Sequence, residues 1–368
     1  MKVAWFGHKA KERGDGLITY SKEIIKGLEA RGAEVIFFYH GDKAEEDPKS
    51  VRLGSFNIFN HDLVSAPGAK EIIDEVLGRE RVDVAHASLS FSLLDFSLPD
   101  ICHDQGIPIV ATLHFPYGRR STIWGGGARV LYRLWSIPLA KYDGVIIFSE
   151  EQRDVLAQYG VPLERLEVIP NGVDVDRFRP GVSSYKEEIG AELIMTYCGR
   201  IDPEKKVGWF LQAFQEMELP PNHKVVVIGE GSEYRELHKR YGNSSIIFTG
   251  LITDQAELIR MLQASDIFVL PSEVEGLSLA LLEGMACGLA TVATDVGCHG
   301  EVLRGAGIVI QPGEESQLRL ALRLLVDYPE FRHMLGEEAR KRVVERYSLE
   351  GNISRLMELY RRLIGRAA

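Results

Sequence analysis

The sequence predicts an α/β protein built from two tandem, doubly wound domains, and three observations carry that expectation. Short β-branched runs alternate with longer amphipathic stretches along the whole chain, the pattern of parallel strands joined by crossover helices. The 368 residues exceed a single core, since cores stop growing near roughly 250–300 residues. Finally, an irregular stretch rich in Asp, Arg, Pro, Gly and Ser interrupts the alternation near the middle, opening on Pro170-Asn171-Gly172 and running to Ser184.

Taken in order, strands are expected over residues 2–6, 34–39, 82–86, 108–114, 144–148 and 166–169. Helical patterns fall between most of them. In the clearest, over 17–31, Ile18, Ile24, Ile25 and Leu28 recur near the helical period. Beyond the break, strands are expected over 193–197, 224–228, 246–249, 267–270, 290–293 and 307–310, followed by helices over 315–327, 329–345 and 349–363. The boundary divides the chain into domains of 1–170 and 171–348. No short fixed period repeats, which excludes solenoids and propellers. Ligands of doubly wound sheets bind at the carboxyl ends of strands, so a cleft between two such domains is the expected active site.

Composition narrows the function. With 53 acidic against 43 basic residues and a net charge of −10, the chain is not expected to bind nucleic acid, whose phosphates demand clustered Lys and Arg. Cys102, Cys198, Cys287 and Cys298 have no C-x-x-C spacing, so reduced thiols in a cytoplasmic protein are expected, without disulfide or structural zinc. The first residues hold only four consecutive apolar side chains before Gly7, too few for a signal peptide. Residues 276–294 are weakly polar but contain Glu283, which fits a buried helix, turn and strand better than a membrane span.

Three groups of residues carry chemistry. Gly14-Asp15-Gly16, Gly199 and Gly229-Glu230-Gly231 follow predicted strands, where backbone N–H groups approach anions; ordinary turns would look the same. Neither pair of glycines has the third glycine of a dinucleotide fingerprint, which counts against NAD. Gly199-Arg200 to Lys205-Lys206 sets cations in a loop between strand and helix. There they would neutralise a departing diphosphate without metal, or simply face solvent. In the segment from Pro271 to Gly288, Glu275 precedes an apolar helix and Glu283 follows eight positions later. A carboxylate accepts from both hydroxyls of a vicinal diol, so two such acids suit a sugar and a ribose, with the amides of Gly276, Leu277 and Ser278 as donors.

These segments, with Thr112-Leu113-His114, Tyr142-Asp143-Gly144 to Ser149, and Ile169-Pro170-Asn171-Gly172-Val173-Asp174 to Phe178, make the chain resemble, nearly end to end, a retaining nucleotide-sugar glycosyltransferase of family 4 with the GT-B fold. The resemblance implies that Arg200 and Lys205 hold the donor diphosphate, Glu283 the ribose and Glu275 the transferred hexose. It implies that Gly16, beside Asp15, approaches the diphosphate, that His114 hydrogen-bonds the reacting sugar, and that the base lies against Thr249, Gly250 and Leu251. A C-terminal helix over 349–368 returning to the first domain is implied as well. Two departures fall where hexose or acceptor would be distinguished. Asp15 intervenes where the family often has adjacent glycines, and the turn after Val296 reads Gly297-Cys298-His299-Gly300-Glu301.

The expected reaction is transfer of a hexosyl unit, from a UDP-sugar or from GDP-mannose, to a hydroxyl of a sugar or glycolipid. No cofactor and no metal are expected, and Asp174-Val175-Asp176 reads as capping and turn chemistry. From Tyr117 to Lys141 the chain has no acid but carries Arg119, Arg120, Arg129, Arg133 and Lys141, interleaved with Trp124, Tyr132 and Trp135. This stretch suits an anionic acceptor or peripheral contact with an anionic membrane, or else a core helix with solvated arginines. The alternatives are an NAD(P)-linked oxidoreductase and a non-catalytic nucleotide-sugar-binding protein.

Overall fold

The computed structural model describes residues 1–7, 16–40, 49–58, 61–65, 68–89, 92–114 and 124–367. They divide into two compact units. The first takes the described residues up to 114, those from 124 to 170, and 350 onward; the second takes 171–349.

In the first unit, β1 (Lys2–Gly7), α1 (Gly16–Glu29), β2 (Glu34–His40) and β3 (Ser50–Leu53) precede a separate antiparallel hairpin, β4 (Ser55–Ile58) with β5 (His61–Ser65). Then come α2 (Ala69–Glu80), β6 (Val84–Ser88), α3 (Leu94–Asp104), β7 (Ile109–Thr112), α4 (Trp124–Leu139), β8 (Gly144–Ile147), α5 (Glu150–Gln158) and β9 (Leu166–Val168). The seven-stranded sheet is parallel, in the order β3-β2-β1-β6-β7-β8-β9. Its central strands are apolar on both faces, as parallel strands covered by helices must be: Val3, Ala4 and Trp5 are fully buried. The edge strand β3 and the β4–β5 hairpin were not expected. Each is four or five residues long and largely polar, too short for alternation to show.

The second unit contains α6 (Tyr185–Glu188), β10 (Leu193–Cys198), α7 (Val207–Glu216), β11 (His223–Ile228), α8 (Tyr234–Tyr241), β12 (Ile246–Gly250), α9 (Gln255–Ala264) and β13 (Ile267–Leu270). It continues through α10 (Leu279–Ala286), β14 (Ala290–Thr294), α11 (His299–Val302), β15 (Ile308–Ile310), α12 (Glu315–Asp327) and α13 (Pro329–Arg346). Its six parallel strands run β12-β11-β10-β13-β14-β15. All six match the strands expected from sequence to within a residue or two. The strand order reverses at β1/β6 in the first sheet and at β10/β13 in the second, and such switch points are where open α/β sheets form a crevice.

The last helix, α14 (Leu349–Ala367), packs on the first unit. Asn352 donates from Nδ2 to the Pro170 carbonyl at 2.8 Å, and Leu359 and Leu363 lie against Gly144. Ile353 sits so close to Gly27 that a Cβ there would meet its Cδ1 at 2.0 Å. Among the described residues no helix is long and apolar enough to cross a membrane, and all four cysteines are free.

Candidate active site

The crevice of the second unit is charged. After β10 the chain turns through Gly199 into a short 3-10 turn, Pro203–Lys205, which precedes α7. After β13 it runs through Ser272 to Glu275 before α10. Two backbone facts bring these loops together. The Glu273 N–H donates to the Glu204 carbonyl at 2.8 Å. In addition, Gly297, at φ +52°, presses so closely on the turn that a Cβ would lie 2.3 Å from the Glu275 and Gly276 carbonyl oxygens. Lys205 Nζ consequently lies 2.7 Å from Glu275 Oε1, with both side chains nearly nine-tenths buried. The same oxygen accepts from Ser272 Oγ at 2.9 Å. Lys206 pairs with Glu273 at 3.3 Å.

Arg200, half exposed, donates to Asp202 and, at 3.1 Å, to Glu204. Burial alone would favour neutral Asp202, but the Ser232 amide and hydroxyl, then the charges of Arg200 and Lys205, hold its carboxyl below the usual range. Glu283 lies half-buried on α10. Burial raises the Cys198 thiol, and the Glu283 charge raises it further, which puts Glu283 beside the carboxyl end of β10. Ser278 caps α10, accepting from the Leu281 amide at 3.3 Å. At the other end of this helix Arg340 donates to the Ala286 carbonyl at 3.1 Å, a cation where the helix dipole is negative.

Of the two readings open for the glycines, anion approach and ordinary turns, the geometry of two of them fits the second. The Gly199 N–H is committed to the Ile228 carbonyl at 3.0 Å and the Gly229 N–H to the Gly250 carbonyl at 2.9 Å. Those two amides therefore serve loop packing. Gly229, at φ +131°, is required because a Cβ would strike the Gly199 carbonyl oxygen at 2.0 Å. Gly231 packs equally closely on the Ile201 carbonyl. Thr249, which ends β12 with Gly250, donates to the Gly250 carbonyl at 2.9 Å, and Leu251 is half-buried beside them.

Among the described residues the crevice of the first unit is lined by histidine, hydroxyl and aromatic groups. His86, fully buried on β6, stacks on Trp5 with centroids 4.0 Å apart. Its Nδ1 meets the Tyr360 hydroxyl of α14, and its Nε2 meets Thr112 Oγ1 at 2.7 Å. Burial, then the neighbouring His114, holds its pKa down to about 3, so the ring is neutral. His114 shares a hydrogen bond with Ser88 Oγ at 3.1 Å and packs edge-on against Tyr20 and Phe148. Burial pushes the Tyr20 phenol up to about 12.

Among the residues singled out from sequence, Lys205, Arg200, Glu275, Gly276, Leu277, Ser278 and Glu283 gather around one switch point, with Gly199, Gly229 and Gly231 packed behind. His114 lies at the other, and Gly16 begins α1, where among the described residues nothing lies within 4 Å of a Cβ placed on it. Asp15, Arg119 and Arg120 lie outside the described residues. Trp124 and Arg129 belong to α4. Arg133 is exposed, but Trp135 is not on that exposed face: it is buried, its ring 4.8 Å from Phe96. Asp174 is turn chemistry, accepting from the Asp176 and Arg177 amides. Sequence reasoning missed His86, Tyr360 and the buried state of His299, because each depends on partners distant along the chain.

Two doubly wound units, the second with a crevice lined by Lys205, Arg200, Glu275 and Glu283, define an α/β protein of tandem Rossmann-like domains. Sucrose-phosphate synthase from Thermosynechococcus elongatus matches 99% of this chain and 99% of its own, with a TM-score of 0.80 at 19% identity, and the fold is GT-B. The profile described as Glycosyltransferase Family 4 matches residues 14–177, and that described as Glycosyl transferases group 1 matches 184–342. The chain belongs to this family of glycosyltransferases. It is 26% identical to the MMP alpha-(1->4)-mannosyltransferase of Mycolicibacterium hassiacum, covering 100% of both chains. It is 24% identical to the UDP-Gal:alpha-D-GlcNAc-diphosphoundecaprenol alpha-1,3-galactosyltransferase of Escherichia coli, over 78% of this chain and 77% of that protein.

Proposed function

We propose that this enzyme is a retaining, metal-independent hexosyltransferase that moves a hexosyl unit from a nucleoside diphosphate sugar to a hydroxyl of a sugar or glycolipid. The donor is a UDP-sugar, with GDP-mannose the alternative nucleotide sugar. The observation that carries this is the 2.7 Å contact between Lys205 and Glu275. A cation suited to phosphate and an acid suited to sugar hydroxyls lie within one hydrogen bond, as the two ends of a hexosyl phosphate require. The galactosyltransferase relative, whose name includes a UDP-sugar, supports the nucleotide. Family membership leaves the oxidoreductase alternative without support.

In the proposed step Arg200 and Lys205 take up the charge that develops on the diphosphate as the C1–O bond to phosphorus-bound oxygen breaks. The acceptor oxygen bonds to C1 on the same face, and its proton passes to the departing phosphate oxygen. Glu275 orients the hexose, Glu283 takes the ribose hydroxyls, Thr249 to Leu251 line the base, and His114 hydrogen-bonds the reacting sugar. The second unit is accordingly the donor half and the first the acceptor half.

The four free thiols support a cytoplasmic location. The outward face of α4, with Arg133, Leu134 and Ile137 exposed, supports peripheral contact with an anionic membrane and a lipid-linked acceptor. The test is thermal stabilisation of the full chain across UDP-glucose, UDP-galactose, UDP-N-acetylglucosamine and GDP-mannose, followed by assay of nucleotide release with hydroxyl acceptors. A saturating donor at 100 times its Kd adds about 2.7 kcal/mol. Binding without release would make the protein a sensor, and no stabilisation by any donor would refute the proposal. Equal sedimentation with neutral and anionic vesicles would remove the membrane contact.

A further inference from the structure

Two residues, one in contact with the segment that follows Glu275 and one next in sequence to such a contact, each keep a buried acceptor atom without a donor. His299 opens α11 and is fully buried. Its Nδ1 lies 3.1 Å from the Thr294 carbonyl oxygen, an acceptor only, so Nδ1 carries the proton and Nε2 presents a bare lone pair. That Nε2 is buried with no hydrogen-bond partner. Asn171 is the second: its Nδ2 donates to the Leu277 carbonyl at 2.8 Å, and its Oδ1 is likewise buried and unpaired.

The location of both atoms is specific. Gly297 presses on the Glu275 and Gly276 carbonyls, and the Cys298 amide donates to the Gly276 carbonyl at 3.0 Å. The residues immediately ahead of His299 are therefore in contact with the sugar-side turn. Burial holds the ring neutral, and the nearby charges of Glu275 and Lys205 act on it in opposite directions. A buried polar atom left unpaired costs roughly 1–3 kcal/mol, so native proteins rarely keep one without a use.

We propose that His299 is a specificity-determining contact for the transferred sugar, its Nε2 accepting a hydrogen bond from a hexose hydroxyl. The lone pair selects a neutral donor such as a hydroxyl or acetamido N–H and disfavours a carboxylate, which would bring a second acceptor. The ring is reached when the 272–276 turn shifts. The ion pairs that hold the turn, Lys205–Glu275 and Lys206–Glu273, are those for which a sugar diphosphate competes. This assignment rests on the hexosyltransferase proposal and names what that site reads.

The experiment compares UDP with UDP-glucose, UDP-galactose and UDP-N-acetylglucosamine on the full chain, by calorimetric titration of wild type, His299→Leu and His299→Gln. For the preferred sugar, His299→Leu is expected to lose about tenfold or more in affinity, while affinity for UDP alone stays within about twofold; a lost hydrogen bond of about 1.4 kcal/mol gives that factor. Gln carries an amide oxygen and is expected to restore part of it. On wild type, a deoxy analogue lacking the hydroxyl concerned loses the same factor, and on His299→Leu it loses nothing further. Equal losses for UDP and UDP-sugar, or unchanged ratios, would overturn the assignment to His299 while leaving the proposed function standing. Failure of wild type to bind UDP, any of the UDP-sugars or, in the same titration, GDP-mannose would remove both. The second variant, His299→Gln, carries the same deoxy comparison where His299→Leu folds poorly.

Discussion

His86 in the first unit and His299 in the second are both fully buried and both held neutral by burial, yet only His86 has a partner on each nitrogen. The contrast extends to their surroundings. Around His86 the neighbours are Trp5, Thr112, Tyr20 and Tyr360, a neutral and internally completed set. Around His299 the nearby groups are Lys205, Glu275 and Asp295, of which Lys205 and Glu275 pair with each other, while its Nε2 stays unpaired. A site that is finished without ligand holds its shape, whereas one whose charges pair internally must exchange those pairs on binding. This contrast accords with the proposal that the second unit takes the anionic donor and the first the acceptor.

The largest expected effect comes from the charged half. Lys205→Ala removes the cation assigned to the leaving diphosphate and is expected to cut kcat by about 10²–10³, the loss seen when one charge-stabilising donor is removed. The fold persists, since Glu275 keeps the Ser272 hydroxyl. Circular dichroism and steady-state assays of nucleotide release check this, and wild-type turnover in the folded variant would break the assignment of the second unit as donor half.

Making one change at the two histidines tests the comparison directly. His86→Leu strands the Tyr360 and Thr112 hydroxyls and is expected to cost about 3 kcal/mol of unfolding free energy, while His299→Leu forfeits one hydrogen bond and costs about 1 kcal/mol. Proton linkage adds a second readout. The His86 pKa of about 3 lies below the ordinary value near 6.5, so its contribution is fully present above pH 6.5 and declines as pH falls towards 3, by about 1.4 kcal/mol per unit. The penalty of His86→Leu should therefore shrink as pH is lowered from 7 to 5 in urea titrations. A penalty independent of pH would show that His86 is not held neutral.

How far the sequence anticipates these halves depends on the range of the interactions involved. The strands of both sheets were legible because burial on both faces forces continuous apolar runs, as in Ile267–Leu270. Polar β3 and the β4–β5 hairpin carried no such run. Lys205 stood out as a cation in a loop between strand and helix, and Glu275 as an acid ahead of an apolar helix with Glu283 eight positions later. That they touch is set by β10 lying beside β13, which no local pattern records. His86 and Tyr360 are 274 residues apart, and a lone histidine inside a strand pattern carries no mark of the phenol that completes it. The glycines were legible as special but not as to purpose: Gly199 and Gly229 hold two loops together with the amides that seemed free to bind phosphate.

The smallest expected effect sharpens the claim that the first unit is complete in itself. Tyr360→Phe keeps the ring buried and removes only the hydroxyl at His86 Nδ1. If that hydroxyl donates, Nε2 carries the proton and gives it to Thr112, whose own hydroxyl faces the Tyr20 oxygen at 3.5 Å. Loss of one buried hydrogen bond is expected to lower stability by about 1 kcal/mol. It should also release the tautomer, visible as a shift in the ¹⁵N resonances of His86. UDP affinity should stay unchanged, because Arg200, Lys205, Glu283 and residues 249–251, proposed to hold the nucleotide, all belong to the second unit. A change in UDP affinity with unaltered tautomer would mean that Tyr360 acts on nucleotide binding by a route other than His86.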